Sequence, residues 1–322
     1  RRENMTLNDV EFFINKRDFP LFHKSLKNPY EVSYFNSEAS QVIQSMQEMM
    51  PIVSSYFGDS FWDVPFPLVN DYRQNVPLWT TNYESIFYEE FSKKFNVAIF
   101  RGSATGCGTT KETNQRLRLC IDFKDDARFN VKLTSLNKRL KKSFTSLKCE
   151  IISDEYKFLA NKRNFMDMEK QKNFKFAIFI EGHSAANRLG NLMRNGFCIL
   201  YVENLMAHAN KLWFSHLLEE GKHYISIRND LSNLSEQMSY YLDHLDEAAE
   251  IAWQGHCLSM NIFQDESVQN YVLSTLFHIE QSTLSNAQNE DDQIGINFSN
   301  LTEKYKNFSQ NDLFFNFLTT KT

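Results

Sequence analysis

The fold of this chain is decided by one stretch, Phe174–Glu203, which reads FKFAIFIEGHSAANRLGNLMRNGFCILYVE. It opens with a short apolar run that predicts a buried strand, and Cys198–Val202 predicts a second one. Between them, apolar residues at helical spacing predict a helix that is capped by Ser184 and ends at Gly196. A strand, a helix and a strand in this order predict a βαβ unit of a parallel sheet, and therefore an α/β protein.

The turn between the first strand and the helix is a candidate ligand site, because ligands bind parallel sheets where strands end and helices begin. Arg188 falls in the first turn of the predicted helix, where free backbone N–H groups favour a phosphate. Its guanidinium fits two oxygens of a diphosphate. The alternative is an ordinary βαβ unit with Arg188 as a surface charge. The chain contains neither GxGxxG nor GxxxxGK[ST], which removes support for the common dinucleotide and P-loop interpretations.

Size and composition exclude several other classes of protein. A chain of 322 residues that is 42% hydrophobic and 14% aromatic predicts a folded protein of one large or two ordinary domains. The net charge of −5 gives no case for binding nucleic acid. The five cysteines are an odd number without CxxC spacing, which argues against a disulfide framework and a zinc ribbon. The apolar runs are too short for a transmembrane segment.

The distribution of proline and glycine predicts where the domains divide. All six prolines lie within the first 77 residues, whereas nine of the ten glycines follow residue 100, and such a shift is typical of a domain boundary. We therefore predict a first domain over 1–95, a second over 96–285, and a tail over 286–322 for which a helix packed on the first domain is one option. A long helix is predicted over Asn233–Gln254, with Gly255 as its end.

A glycine-rich loop provides a second candidate site for an anion. A predicted strand, Val97–Phe100, leads into small residues and three glycines at 101–110, and such loops let backbone N–H groups approach an anion. Arg116 and Arg118 follow. The alternative is a flexible loop followed by two solvated arginines.

The first part of the chain offers a candidate base and a candidate acceptor surface. Asp18 precedes an aromatic residue and a proline that keeps Phe19 out of a helix, so it could act as a base in a cleft. Equally, it could pair with its neighbouring arginine or cap a turn. Trp62, Asp63 and Phe66 lie in an aromatic and proline-rich loop that could stack on a sugar or pack a domain edge.

Five segments, in this order, resemble glycosyltransferase family 90, which includes protein O-glucosyltransferases, their xylosyl-transferring relatives and fungal capsule-associated transferases. They are FFINKRDFP at 12–20, WDVPFP at 62–67, FRGS at 100–103, GHSAANR at 182–188, and HYISI with a following DLS at 223–232. The resemblance is spread over residues 11–260. Three positions depart from the family pattern, namely Phe19 at the usual tyrosine, Ala186 at the usual serine and Ser226 at the usual proline.

The resemblance implies a GT-B arrangement, in which two Rossmann-like domains face a central cleft and the second domain holds the sugar nucleotide. It implies Asp18 as the general base and Arg188 as the residue on the diphosphate. The second arginine of the family has no fixed spacing here, so Arg116 is the first choice and Arg118 the reserve. Trp62, Asp63 and Phe66 are expected on the acceptor side. The other expected nucleotide-sugar residues are Arg101, Gly102, Ser103, Gly182, His183, Ser184, Ala185, Ala186, Asn187, His223 and Tyr224.

The resemblance further implies inverting transfer of a sugar from UDP-xylose or UDP-glucose to a hydroxyl of a glycan or glycoprotein. Such transfer needs a carboxylate to take the acceptor's proton and cationic donors where charge develops on the leaving diphosphate. No Asp-x-Asp follows a predicted strand, so we expect transfer without a metal and no cofactor beyond the UDP-sugar donor. The open alternatives are a non-catalytic carbohydrate- or nucleotide-binding protein, for which Ala186 leaves room, and an interaction scaffold.

The expected location is the cytoplasm, in a microbe or in a cell infected by a large virus. The chain ends without a Lys-Asp-Glu-Leu type signal, and its few cysteines do not suit the disulfides of secretory members. A secretory lumen stays open, because the first residue is Arg1 and a leader could have been removed.

Overall fold

The computed structural model describes residues 10, 12–16, 20, 51–59, 61–67, 71, 82–138, 141–142, 149–204 and 211–287. These residues form two compact units. The first comprises the described residues within Arg1–Asn75, Asn210–His216 and Phe263–Thr322, and the second those within Val76–Ala209 and Leu217–Ile262.

The described residues of the two units form strands and α-helices, which alternate through the second unit as expected of an α/β protein. The described strands are β1 (Phe13–Asn15), β2 (Ile52–Ser54), β3 (Tyr56–Phe57), β4 (Val64–Pro65), β5 (Phe95–Ser103), β6 (Phe129–Ser135), β7 (Lys141–Lys142), β8 (Cys149–Glu150), β9 (Phe174–Phe179), β10 (Cys198–Val202), β11 (Lys211–Leu212) and β12 (Ile225–Ile227). The described α-helices are α1 (Tyr83–Lys93), α2 (Gln115–Asp122), α3 (Met168–Gln171), α4 (Leu189–Arg194), α5 (Leu234–Asp243), α6 (Leu245–Ile262) and α7 (Asp265–Ala287).

The second unit is built on a five-stranded parallel sheet in the order β12-β10-β9-β5-β6. Of the strands in this sheet, β5 comes first in the sequence and lies in the interior. The next strand, β6, pairs on one side of β5, and β9 then pairs on its other side. The direction of winding therefore reverses between β5 and β9. In open parallel sheets this switch point is where the strand ends leave a crevice for a ligand. The predicted α/β fold class is confirmed.

The βαβ unit predicted from Phe174–Glu203 is confirmed, and its helix is shorter than predicted. β9 and β10 pair in parallel, with Cys198 opposite Phe176, and apolar side chains fill both strands because both faces of a parallel sheet are covered. Gly196, at φ +65°, follows the helix as expected. The predicted cap at Ser184 is wrong, since α4 begins at Leu189.

The loop before α4 has a different arrangement of backbone hydrogen bonds. The Gly182 N–H donates to the carbonyl of Ser184 at 3.0 Å, and the Ala186 N–H donates to the carboxylate of Glu181. The second bond uses an N–H group that a helix capped at Ser184 would have left free. Because α4 has only six residues, its N-terminus does not support the predicted phosphate site.

The predicted long helix is two helices, and Gly255 lies inside the second one. α5 ends at Asp243 and is followed by His244, whose backbone is not helical (φ −123°, ψ 58°), and α6 continues past Gly255 to Ile262. A Cβ at Gly255 would lie 3.1 Å from the carbonyl oxygen of His223. Gly255 is therefore explained by the close approach of another backbone segment and not by a helix end.

The first unit contains a smaller parallel sheet, in the order β1-β2-β4. An aromatic cluster lies in the same unit, where the Trp213 ring packs 4.7 Å from Tyr271 between ring centroids. Its indole N–H donates to Asp71 at 2.9 Å, which satisfies the polar atom of a buried side chain.

The predicted domain ranges stay a prediction, and the compact units differ from them in both directions. β11 and most of α7 lie in the range predicted for the second domain, yet they belong to the first compact unit. The helix α1 belongs to the second compact unit, because the ring of Phe87 lies 5.0 Å from that of Trp253 on α6. The predicted tail at 286–322 lies outside the described residues, apart from the end of α7. Among the described helices, each is too short or too polar to cross a bilayer.

Candidate functional site

Two loops and two arginines meet at the switch point, where β5 and β9 end. A Cβ at Gly102, near the end of β5, would lie 3.1 Å from Nη2 of Arg188 and 3.5 Å from Nη1 of Arg116. A Cβ at Gly182, just past β9, would lie 3.6 Å from Nη2 of Arg116. The two glycines therefore allow the guanidinium groups to approach the strand ends closely. We call Gly102, Arg116, Glu181, Gly182 and Arg188 the switch-point site.

Arg116 is a buried clamp between the ends of β5 and β9. It lies in the first turn of α2, which Asn114 caps. Its Nε donates to the carbonyl of Glu181 at 3.1 Å and its Nη2 to that of Ile180 at 2.6 Å. Its Nη1 donates to the carbonyl of Ser103 at 2.9 Å and also to a threonine hydroxyl. Four of its five N–H groups are thus used within the protein. Burial, together with the positive charge of nearby Arg188, lowers the pKa of Arg116 to about 9.

Arg188 is held more loosely and is the better ligand donor. It immediately precedes α4, is half-buried, and its guanidinium carbon lies 5.5 Å from the centre of the Phe100 ring. Its Nη2 donates to the carbonyl of Arg101, and this is its one hydrogen bond to the residues that the structure describes. Burial lowers the pKa of Arg188, yet an arginine remains protonated in proteins. Its other N–H groups can bind the oxygens of an anion.

Glu181 adds a buried acid that the sequence did not reveal. It is 7% exposed, and its carboxylate accepts the Ala186 N–H and, at 3.1 Å, the hydroxyl of Tyr201. Burial raises the pKa of Glu181 to about 7, although both hydrogen bonds and the charge of Arg116 act in the opposite direction. Near neutral pH, the switch-point site therefore changes between one and two net positive charges.

Three other residues predicted to bind the nucleotide sugar, Arg101, Ser103 and Arg118, form hydrogen bonds to other parts of the protein. The Arg101 guanidinium donates to the backbone and side-chain oxygens of Asn130 at 2.6 and 2.7 Å, so it ties β5 to β6. The Ser103 hydroxyl accepts from Ser135 at 2.9 Å. Arg118, the reserve choice, donates to the carbonyl of Asp230 at 3.2 Å, and Arg116 alone of the two reaches the switch-point site.

The predicted residues of the loop after β9 are brought to the site in different ways. Ala186 contributes its backbone N–H to Glu181. Ala185 is buried, Asn187 is exposed, and His183 and Ser184 are half-buried. These residues form the loop that connects Gly182 to Arg188, and their roles toward a ligand stay predictions.

His223 and Tyr224 differ in their relation to the site. His223 Nδ1 accepts the backbone N–H of Glu219 at 2.9 Å, and burial lowers the pKa of His223, so its neutral ring stabilises a turn. The Tyr224 ring lies 5.0 Å from that of Tyr201, which in turn contacts Glu181. Tyr201 and Glu181 were not predicted. The available signal was an acid directly after the predicted strand Phe176–Ile180.

In the first unit, Asp18 lies outside the described residues, three positions after the end of β1. The acceptor-side candidates are described. Asp63 is 5% exposed and accepts the Ser54 hydroxyl at 2.5 Å, while Phe66 packs against the apolar cluster of β2 and β4. Trp62 is half-buried. The roles of these residues in acceptor binding stay predictions.

Among the residues that the structure describes, no group of three or more His, Cys, Asp or Glu side chains could hold a metal ion. Three cysteines in that part of the chain, at 120, 198 and 257, are free thiols.

Comparison with known proteins gives the family. Protein 179R of Invertebrate iridescent virus 6 is 29% identical over 324 residues, covering 86% of this chain and 27% of the viral protein. Protein O-glucosyltransferase 2 of Danio rerio is 24% identical over 82% of this chain and 46% of its own length. The chain thus spans less than half the length of either relative.

A solved structure of Anabaena HepE in complex with UDP-glucose is 13% identical, with a TM-score of 0.38 over 75% of this chain and 62% of that one. The profile that matches residues 1–292 is that of Glycosyl transferase family 90. The chain belongs to Glycosyl transferase family 90.

Proposed function

We propose that this chain transfers glucose or xylose, with inversion, from a UDP-sugar to a hydroxyl of a glycan or glycoprotein acceptor. Membership of the family supports sugar transfer in general. The similarity to a protein named as an O-glucosyltransferase favours glucose, and xylose differs from it by one hydroxymethyl group.

The observation that carries the proposal is the position of Arg188. It lies at the switch point of a parallel sheet, where such folds bind ligands, and Gly102 leaves space for its guanidinium. Arg116 occupies the adjacent position with its donors already used. Arg188 is therefore the residue that binds the diphosphate, and Arg116 holds the two loops in place for it.

The chemistry follows from where charge develops. As the bond from the sugar to the diphosphate breaks, negative charge grows on the leaving oxygen, and a preorganised cation lowers this barrier. The attacking hydroxyl must lose a proton to a base within hydrogen-bond reach. Asp18 is the proposed base, by resemblance to the family, and the reaction proceeds without a metal or other cofactor.

The test is release of UDP from a panel that includes UDP-glucose and UDP-xylose, with glycan acceptors added or withheld. The wild type is expected to release UDP from one of these two donors. Asp18→Asn is expected to bind UDP as the wild type does and to lose transfer. Asp125→Asn is the matched control, because Asp125 is an exposed acid, and it should keep full activity.

Three other outcomes would contradict a part or the whole of the proposal. Full transfer by Asp18→Asn would remove Asp18 from the mechanism. Binding of UDP-sugars without release or transfer in the wild type would favour the non-catalytic alternative. Absence of both binding and release would contradict the proposal.

A further inference from the structure

Glu181 is a buried acid at the switch-point site to which the proposed reaction assigns no step. A buried carboxylate is costly unless it is hydrogen-bonded. Both oxygens of Glu181 are used, one by the Ala186 N–H and the other by the Tyr201 hydroxyl. The role of Glu181 is therefore inferred from these two hydrogen bonds.

These contacts set the path of the loop that carries Arg188. Ala186 lies two residues before Arg188, and its bond to Glu181 closes the turn that follows β9. The backbone carbonyl of Glu181 accepts from Nε of Arg116 at 3.1 Å. Glu181 thus connects both arginines of the site, one through its main chain and one through its side chain.

The charges around Glu181 predict a response to an anion. Arg116 from α2 is the charged group that acts on Glu181, and Tyr201 from β10, with Tyr224 behind it, is the titratable group in contact with its carboxylate. Arg188 at the start of α4 acts on Arg116, and His183 belongs to the same loop as Glu181. Without a ligand, the Glu181 carboxylate offsets part of the charge of Arg116, which lies beside Arg188. A bound diphosphate brings negative charge to the same arginines, and like charges favour protonation of a carboxylate.

We propose that Glu181 is a positioning residue of the switch-point site, and that its carboxylate takes up a proton from solvent when a nucleoside diphosphate sugar binds. This inference rests on the proposed function, because it takes the diphosphate as the ligand. The carboxylic acid that forms can still accept the Ala186 N–H through its carbonyl oxygen. The loop therefore keeps its shape while the site gains one positive charge.

The test is calorimetric titration of the wild type with UDP-glucose near neutral pH, in buffers that differ in ionisation enthalpy. UDP-glucose is the probe because its diphosphate diester has no group that titrates in this range. Burial holds the pKa of Glu181 at about 7. A rise of one unit on binding would therefore give uptake of about 0.5 proton at about pH 7.5.

Two variants separate this role from a structural one. Glu181→Gln keeps the side-chain shape and is expected to bind UDP-glucose without proton uptake. Tyr201→Phe removes a hydrogen bond that favours the charged form of Glu181, so maximal uptake should move to higher pH. The control is Glu203→Gln, an exposed acid just after β10, which should show the uptake of the wild type.

Binding of UDP-glucose by the wild type without proton uptake would overturn the inference and leave the proposed function standing. Uptake that persists in Glu181→Gln would also overturn it. If Glu181→Gln does not fold, the shift in Tyr201→Phe decides, and an unchanged pH profile overturns the inference. Absence of any binding by the wild type would refute the proposed function and, with it, this inference.

Discussion

Replacing the two arginines of the switch-point site by methionine, one at a time, should affect different properties of the protein. Arg116 makes four hydrogen bonds inside the protein, whereas Arg188 makes one to the residues that the structure describes. Arg116→Met should therefore lose stability, and Arg188→Met should lose ligand binding and activity. Two residues of one type at one site thus provide a controlled comparison.

The magnitudes follow from the bonds. Hydrogen bonds to a charged group contribute about 1.5 to 3 kcal/mol each, and buried carbonyls left without a donor cost further free energy. Because these terms are not additive, Arg116→Met should lower the free energy of unfolding by about 3 to 5 kcal/mol. Arg188→Met loses one such bond, so its stability should fall by no more than about 3 kcal/mol. Loss of one oxyanion donor should lower kcat by a factor of about 10² to 10³.

The assays are urea unfolding, followed by circular dichroism, and release of UDP from the best donor. Arg163→Met is the matched control, because Arg163 is exposed, and it should change neither quantity. An Arg116→Met variant as stable as the wild type would contradict the structural role of Arg116. An Arg188→Met variant that retains full activity would contradict the role of Arg188 in binding the ligand.

Three further predictions concern the support of the site. Gly102→Ala places a methyl group 3.1 Å from the Arg188 guanidinium and 3.1 Å from the buried Phe100 ring, so KM for the donor should rise and the free energy of unfolding should fall; an unchanged KM in steady-state kinetics would contradict this. Asn114→Ala removes the cap of α2 and two bonds to the glycine-rich loop, and it should cost about 1 to 2 kcal/mol in urea unfolding; a loss below a few tenths would contradict the role of Asn114. Burial raises the pKa of Glu181 from 4.5 to about 7, so the folded state binds the extra proton and loses stability as pH rises through that window. As the pH rises from 5 to 8, Glu181→Gln should therefore become more stable relative to the wild type. The same difference in the free energy of unfolding between the two proteins at both pH values would contradict this.

The strands of the second unit could be predicted because a parallel sheet covers both faces of its strands. Continuous apolar runs such as Phe176–Ile180 and Cys198–Val202 then identify them directly. The parallel βαβ unit followed from their order. The sheet order, and with it the switch point, requires pairings between segments far apart in the sequence, which periodicity does not encode.

The helix boundaries were missed for a related reason. The cap predicted at Ser184 is replaced by a bond from the Ala186 N–H to the Glu181 carboxylate. Gly255 lies inside α6, where a residue without a Cβ lets the backbone at His223 approach closely. In both cases, a contact formed by the folded chain overrides a local preference that sequence patterns measure well.

Most residues of the candidate site could be predicted from the sequence, but the separate roles of its two arginines could not. Arg116 and Arg188 were both expected, but the sequence does not reveal which guanidinium is used up by carbonyl groups of the protein. Arg101 was expected there as well, and instead it binds Asn130. Asp18 remains a prediction, because it lies outside the described residues.

The most direct test of the central claim compares the affinities of UDP and uridine, which differ by the diphosphate, in the wild type and in Arg188→Met. If Arg188 binds the diphosphate, the wild type should prefer UDP strongly, and the variant should lose a factor of about 10² of that preference while its affinity for uridine is unchanged. An equal preference for UDP in both proteins would contradict the account.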